Sequence, residues 1–434
     1  MHFFPRGATS RWLLLKSFLP TLICLTLLLP KTGNGAAGIT INFIKENPNY
    51  NASQIYVAFC GQSNPDMLAG KIITGGALSL GTNYSLADLA SGVQLTKFIG
   101  GRICIALGKP FESLERKSDF NPNFNNPSLP DFNRRWDKVE ITYNAADPHS
   151  VANISATDFF SVRLKVNAYS GARLVSTLTW QQAIATLFHG AGVLSGFSHE
   201  AVCSNNQTGV PTEGFTPGST VNVVRIIAPS TVPAAVVNPY RSFQDYIDHV
   251  RKNAIVTDIQ GSFNDTTSYK FTALIDSAGA LVMNGTVTTN SVPQSHVIVI
   301  RGSELDRGIY TADPLCNVDG VDKHPGNTPI GTAVRDALAG FNLGFIGSKE
   351  QNPNAPGKTF GESASYQWYT PPLPEKYAFS GAQPDKPFYN QYAAYLAPLT
   401  DAYGFPYSDL TKATFAALKP GDIDRMDITV LPDK

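Results

Sequence analysis

The first half of the chain alternates with a period of two. In Trp136–Asn144 the apolar residues Val139, Ile141 and Tyr143 alternate with Lys138, Glu140, Thr142 and Asn144. In a strand this puts the two sets on opposite faces. Further short strand-like runs occur at Ile39–Phe43, Gln54–Phe59, Val93–Ile99, Arg102–Leu107 and Phe160–Val166, with Gly, Pro and Asn clusters between them. Short strands punctuated in this way predict a sandwich or barrel. Asn121–Pro130, rich in Asn and Pro, reads as a loop that delivers the chain to the Trp136 strand.

The middle changes period. Thr179, with Gln182 at the capping-box position, predicts a helix through Ile184 and Leu187. Pro239 begins a second, with Phe243, Tyr246, Ile247 and Val250 on one stripe. Thr328 and Pro329 are a cap and first-turn pair for a third, through Val334 and Leu338. Strand runs at Tyr269–Ile275, Leu281–Thr288 and His296–Arg301 lie between the second and third helices. Gln351–Pro374 reads as a return linker, followed by β structure with one helix near Phe388–Ala397. The expectation is a mainly β protein. A β domain over 38–170 resumes at 356–434, and a smaller mixed α/β domain, 171–355, is inserted in it. An open groove between the two is where an extended polymer would lie.

Composition narrows the class. Lys and Arg total 34, as do Asp and Glu, so no electrostatic case exists for nucleic acid or an anionic membrane. Gly (36) and Pro (30) are plentiful and charged residues make up only 16%, which favours a turn-rich β protein over a helical bundle. Residues 1–37 read as an export signal: Arg6, Arg11 and Lys16 precede an apolar run from Phe18 to Leu29, and small residues follow at Gly33–Gly38. That run is short for a membrane span. The expected product is therefore a secreted protein, monomeric and free of the membrane once the signal is removed. Without Cys24, four cysteines remain: Cys60, Cys104, Cys203 and Cys316. They allow three connectivities; pairing by region joins Cys60 to Cys104 and Cys203 to Cys316. Asn-x-Ser/Thr sequons stand at Asn51, Asn83, Asn153, Asn206, Asn264 and Asn284.

Candidate chemistry concentrates on one strand face. Glu140, Thr142 and Asn144 supply an acid, a hydroxyl and an amide in a row, suited to a proton source flanked by partners for sugar hydroxyls. Asp158 follows one short connection later, on an expected neighbouring strand. Two such carboxyls are the minimum for glycoside hydrolysis. Counted by twos, Asp158 shares parity with Phe160, Val162 and Leu164, so a bulge is expected to re-aim it. Other motifs fail. Gly190–Gly196 fits neither a dinucleotide fingerprint nor a P-loop, and His199-Glu200 lacks a second histidine. No Gly-x-Ser-x-Gly elbow occurs and the histidines are scattered, so neither metal nor cofactor is expected.

The run Trp136–Leu164, with Val151-Ala-Asn-Ile-Ser155 inside it, resembles the glycoside hydrolase family 64 endo-β-1,3-glucanases. Asp336-Ala-Leu-Ala-Gly-Phe-Asn342, Phe388-Tyr-Asn390, Tyr403-Gly-Phe-Pro-Tyr-Ser-Asp-Leu410 and Met426–Leu431 are similar to later segments of that family, in order. The resemblance implies a thaumatin-like β-sandwich or barrel and an inverting endo-acting enzyme on laminarin-type β-1,3-glucan. Glu140 would be the general acid and Asp158 the general base. Thr142, Asn144, Ser155, Ser408 and Asp409 fall at positions similar to the family's substrate contacts. Two departures stand out. Ser408 replaces the first acid of an Asp pair, and Val151 stands where the family often has an aromatic. The alternative from another class is a non-catalytic thaumatin-like glucan-binding or defence protein. The presence of both carboxyls favours the enzyme, because hydrolysis needs both and binding needs neither.

Overall fold

The computed structural model describes residues 38–114, 120–205, 208–233, 235–368, 378–379, 388–408 and 414–434. The expected leader over 1–37, Asn206, Asp409 and the end of the expected linker, 369–374, lie outside the described residues. In chain order the strands and helices are β1 (Ile39–Lys45), β2 (Ile55–Cys60), β3 (Leu68–Ile72), β4 (Asn83–Ser85), β5 (Val93–Leu107), β6 (Trp136–Asn144), β7 (Val151–Ile154), β8 (Phe159–Phe160), β9 (Leu164–Ser170), β10 (Arg173–Leu178), α1 (Ile184–Leu194), β11 (Val202–Ser204), β12 (Val210–Glu213) and β13 (Thr220–Ile227). Then come α2 (Gln244–Lys252), β14 (Val256–Asn264), β15 (Thr267–Ile275), β16 (Leu281–Thr289), β17 (Val292–Ile300), α3 (Gly302–Thr311), β18 (Cys316–Val318), β19 (Val321–Lys323) and α4 (Pro329–Leu343). The last elements are α5 (Gln391–Leu396), β20 (Phe415–Ala417) and β21 (Arg425–Val430).

The described residues form two compact units: residues 38–242 with Asn390–Lys434, and Phe243–Tyr389. The expected insert began at 171. In the structure β10, α1 and β11–β13 belong to the larger unit, and the smaller one runs on to Tyr389.

The larger unit is built on an 11-stranded sheet with the path β10-β9-β21-β1-β5-β6-β7-β20; β2 and β3 pair with β5, and β4 with β2. Its end strands β10 and β20 come into contact, so the sheet curls into a nearly closed barrel. Period-two alternation fills the interior. Ile39 and Ile41, Val139, Ile141 and Tyr143, Leu164 and Val166, and Met426 and Ile428 are all buried. Burying this many branched and aromatic side chains is the main stabilising term of the unit. The outer face of β2, β5 and β6 carries a second apolar cluster: Ala58, Cys60, Cys104, Ala106, Phe111, Leu114, Trp136 and Phe159. A separate 4-stranded sheet, β11-β13-β12 with β8 on β13, contributes Phe159 to that cluster.

Val93–Leu107 is one strand, where two were expected. It contains a bulge. Phe98 pairs with Tyr143 and Gly101 with Ile141, so β5 takes three steps where β6 takes two. Gly100 adopts a left-handed φ of 57°. A Cβ on Gly101 would lie 2.1 Å from the Phe98 ring. Both glycines are therefore needed, one for conformation and one for space. The spare Gly100 N–H donates to Thr142 Oγ1 at 3.1 Å.

In the smaller unit β14–β19 form a 6-stranded antiparallel meander, with α2 and α4 packed on it and α3 against α4. The α4 cap is as expected: Thr328 Oγ1 accepts from Gly331 N–H at 3.0 Å, with Pro329 in the first turn. Strand β14 and helix α3 had no clear pattern in the sequence and are additions. Helix α1 starts at Ile184, with no capping role for Thr179, whose N–H donates to Asp401. The supposed linker is packed structure as far as the buried Trp368, with 3-10 turns at Phe360–Glu362 and Ser365–Gln367. Cys60 and Cys104 form a disulfide, whereas Cys203 and Cys316 are free thiols. Each is buried in the core of a different unit, which is why the expected second bridge does not form.

The bulge yields a test. Gly101→Val should force the buried Phe98 ring aside and cost about 1–3 kcal/mol, the range for overpacking. A lower denaturation midpoint with reduced activity is the expected result; wild-type values in both would show that the bulge tolerates a side chain.

Candidate active site

Strand β6 brings Lys138, Glu140, Thr142 and Asn144 to the outer face of the barrel, opposite the buried Val139, Ile141 and Tyr143. Glu140 lies between Arg102 on β5 and Asn153 on β7 as cross-strand partners. The bulge creates this row: continued from the Phe98–Tyr143 pair without it, the register would set Arg102 against Val139.

Asp158 is not on the neighbouring strand and no bulge aims it. The expected single strand over Phe160–Val166 is broken: the chain leaves the barrel after β7, crosses to the second sheet as β8 and returns as β9. Parity does not carry across such a break. Backbone contacts hold the crossing. Asp158 C=O accepts from Ala228 N–H at 2.9 Å and Thr231 Oγ1 at 2.5 Å, and Thr157 C=O accepts from Ser230 Oγ at 2.5 Å. Next in the chain, Phe159 packs edge-to-face on Trp136 at 4.6 Å and has the Arg225 guanidinium 5.2 Å from its centroid. Arg225 is itself buried, and donates to the carbonyls of Asp131 and Arg134.

This crossing puts the Asp158 carboxyl against the barrel face. Arg102 spans the two acids, with Nε 3.5 Å from Glu140 Oε1 and Nη2 3.7 Å from Asp158 Oδ2. Lys138 Nζ lies 3.2 Å from the same Asp158 oxygen. The Lys138 side chain is 1% exposed, against 21% for Glu140 and 23% for Asp158, so both acids reach solvent while the ammonium lies beneath them. Burial works to raise the Asp158 carboxyl, but Lys138 and then Arg102 outweigh it and hold it below the ordinary range. The Cys60–Cys104 disulfide adjoins both cations, since Cys60 pairs with Arg102 and Cys104 with Lys138 across the strands.

The remaining expected residues divide. Thr142 receives the bulge N–H, and Asn144 Oδ1 accepts from Ala146 N–H at 3.1 Å in the turn after β6. Ser155 is buried, 2.8 Å from Thr157 Oγ1, and its backbone bridges to Tyr403. Ser408 is also buried. Its hydroxyl accepts from Gly404 and Phe405 N–H at 2.9 and 3.1 Å and donates to Phe405 C=O at 2.9 Å, closing the Gly404–Ser408 turn. Asp409 lies outside the described residues. Three residues were missed: Arg102, Lys138 and Asn153. Lys138 shares the Glu140 alternation, and the Gly100-Gly101 pair inside a strand pattern is a bulge signal. Asn153 is buried beside Glu140, and its Oδ1 has no hydrogen-bond partner.

On the opposite face of β6, Asp137 accepts from Lys138, Ser161 and Val162 N–H at 2.9, 2.8 and 3.1 Å. It thereby anchors the return from β8. Burial pushes its carboxyl up to about 6, against the pull of Lys138 and the three N–H groups.

Two solvent-reaching carboxyls joined through one guanidinium on the face of a mainly β barrel form an arrangement that could serve acid–base hydrolysis. The match to the β-1,3-glucanase family model spans residues 77–430, and the chain belongs to glycoside hydrolase family 64. Solved structures agree in fold. A family 64 β-1,3-glucanase domain from Clostridium beijerinckii has a TM-score of 0.55 at 14% identity, covering 92% of this chain and 100% of that one. A laminaripentaose-producing β-1,3-glucanase in complex with laminaritetraose has a TM-score of 0.54 at 15% identity, with the same coverage. The Paenibacillus barengoltzii family 64 enzyme complexed with laminarihexaose gives 0.51 at 15%, covering 93% of this chain and 78% of that one. A search of curated protein sequences finds no match.

Two tests follow from the surroundings of the site. The folded Asp137 carboxyl titrates above its ordinary 3.8, at about 6, so its ionisation opposes folding. Its favourable contribution is complete below pH 3.8 and is lost as pH rises through about 6. The stability of wild type relative to Asp137→Asn should therefore fall across that window; a difference that is flat or rises with pH contradicts the assignment. Ser408→Ala should cost about 1–3 kcal/mol in chemical denaturation by leaving turn N–H groups unpaired. An unchanged midpoint would mean the hydroxyl does not hold the turn.

Proposed function

We propose that the chain is a secreted endo-β-1,3-glucanase that cuts laminarin-type glucan with inversion, using Glu140 as general acid and Asp158 as general base. The observation that carries this reading is the unequal setting of two carboxyls around one guanidinium. Asp158 meets two cations and Glu140 one. Environments that differ in this way divide acid from base. Asp158, held ionised, accepts a proton from water; Glu140, open to solvent beside Asn153, gives one to the leaving glycosidic oxygen. Contacts of 3.5 and 3.7 Å across one guanidinium are compatible with the roughly 6.5–9.5 Å separation that leaves room for a water in inverting enzymes. The oligosaccharide complexes of similar folds support β-1,3-glucan as the substrate. The basic and then apolar residues 1–37 support export through a cleaved signal.

Thr142 and Asn144 lie along the same strand face and are the proposed floor for sugar hydroxyls, with Asp409 as a further contact. Ser155 and Ser408 act by shaping the Tyr403–Ser408 segment, because their hydroxyls are taken up within the protein.

Glu140→Gln and Asp158→Asn should each lower laminarin hydrolysis by roughly 10²–10⁴-fold, the usual worth of a positioned acid or base. Glucan binding should survive in Glu140→Gln, since the amide keeps the shape. Reducing-end release and affinity electrophoresis measure the two effects, and near-normal turnover by either variant removes that residue from its role. The first product seen by proton NMR should be the α-anomer; an initial β-anomer would make the enzyme retaining.

A further inference from the structure

We propose that Lys138 is a positioning residue: its ammonium, buried beneath the site, holds the Asp158 carboxylate in place and ionised, ready to take a proton from water. This rests on the reading of Asp158 as the base. The Lys138 side chain is 1% exposed. Its one ion pair among the described residues is with Asp158 Oδ2, at 3.2 Å. The ammonium also sits 4.4 Å from the centroid of Phe159, the residue after Asp158. A buried cation is costly, and an apolar residue of similar volume usually serves stability as well or better. Lys138 occupies a place where the apolar cluster of Trp136 and Phe159 would accept such a residue. Its gain is electrostatic and is directed at one oxygen.

Among the described residues the charged groups around Asp158 are few. From β6 come Lys138 and, through the shared guanidinium, Glu140; from β5 comes Arg102. From α5 the buried phenol of Tyr392 interacts with Asp158 and donates to Ala156 C=O at 2.9 Å. Asp137 lies on the far face of β6 and also interacts with Lys138. Arg102 contacts both acids, so it cannot favour one strongly over the other. Of Glu140 and Asp158, Lys138 pairs with Asp158 alone, and it supplies the asymmetry. The net lowering of the Asp158 carboxyl, with Lys138 the larger of the two cationic contributions, agrees with this geometry.

The test is a carboxyl titration by carbon NMR on aspartate-labelled protein, alongside the pH profile of kcat/KM on laminarin. In wild type Asp158 should titrate below the ordinary carboxylate range. In Lys138→Met the midpoint should rise by roughly one to three pH units, the effect of one opposite charge at this range. The acid limb of kcat/KM should rise with it while KM stays nearly unchanged, and Lys138→Arg should restore much of both. An ordinary or raised midpoint in wild type overturns the proposal without any variant, so it remains falsifiable if Lys138→Met fails to fold. A midpoint that moves without the acid limb overturns the positioning role. Full activity in Asp158→Asn, with the titration shift intact, overturns instead the reading of Asp158 as the base.

Discussion

One extra residue in β5 governs the site. The bulge at Gly100-Gly101 advances the strand by a single position against β6 and so turns Arg102 from the line of Val139 to that of Glu140. A cation on the outer face can then meet an acid on its own sheet and another arriving from a different sheet. The bulge is built from three local requirements: a left-handed backbone at Gly100, no side chain at Gly101, and the Thr142 hydroxyl to receive the freed N–H. Thr142 thus supports the site from below as well as lying along it.

Around this row the protein places positive charge under negative charge. Lys138 and Arg225 approach Phe159, and Trp136 packs on its edge, so the residue that carries Asp158 across is clamped by aromatic and cation–π contacts. The Cys60–Cys104 bridge ties β2 to β5 beside both Arg102 and Lys138. Buried cations of this kind are poor devices for stability alone. In the proposed mechanism the value of Lys138 is that it sets Asp158 electrostatically apart from Glu140.

Several residues in the segments that resemble the family do packing work in this chain. Asp336 accepts from Tyr269 Oη at 2.7 Å, and Asn342 donates to Ile309 C=O at 2.6 Å, fixing α4 to its neighbours. Ser408 closes a turn beside the segment that bridges to Ser155. A polar residue in such a segment is as readily a structural tie as a ligand contact, because a buried polar atom must find a partner.

The sequence alone determined the elements whose signals are local. Alternation identified β6 and its outward acid, the Thr328-Pro329 pair identified the start of α4, and regional pairing joined Cys60 to Cys104. It also showed Glu140 and Asp158 as the two carboxyls to watch. Tertiary structure alone decided how they meet. Asp158 arrives by a crossing between sheets, and the parity rule has no authority over a chain that changes sheets. Cys203 and Cys316 are free because each is buried in a separate core. Arg102 and Lys138 became legible as partners of the acids only in three dimensions. Ion pairing depends on side chains converging from strands far apart in sequence, and for Arg102 on a bulge that shifts register by one residue.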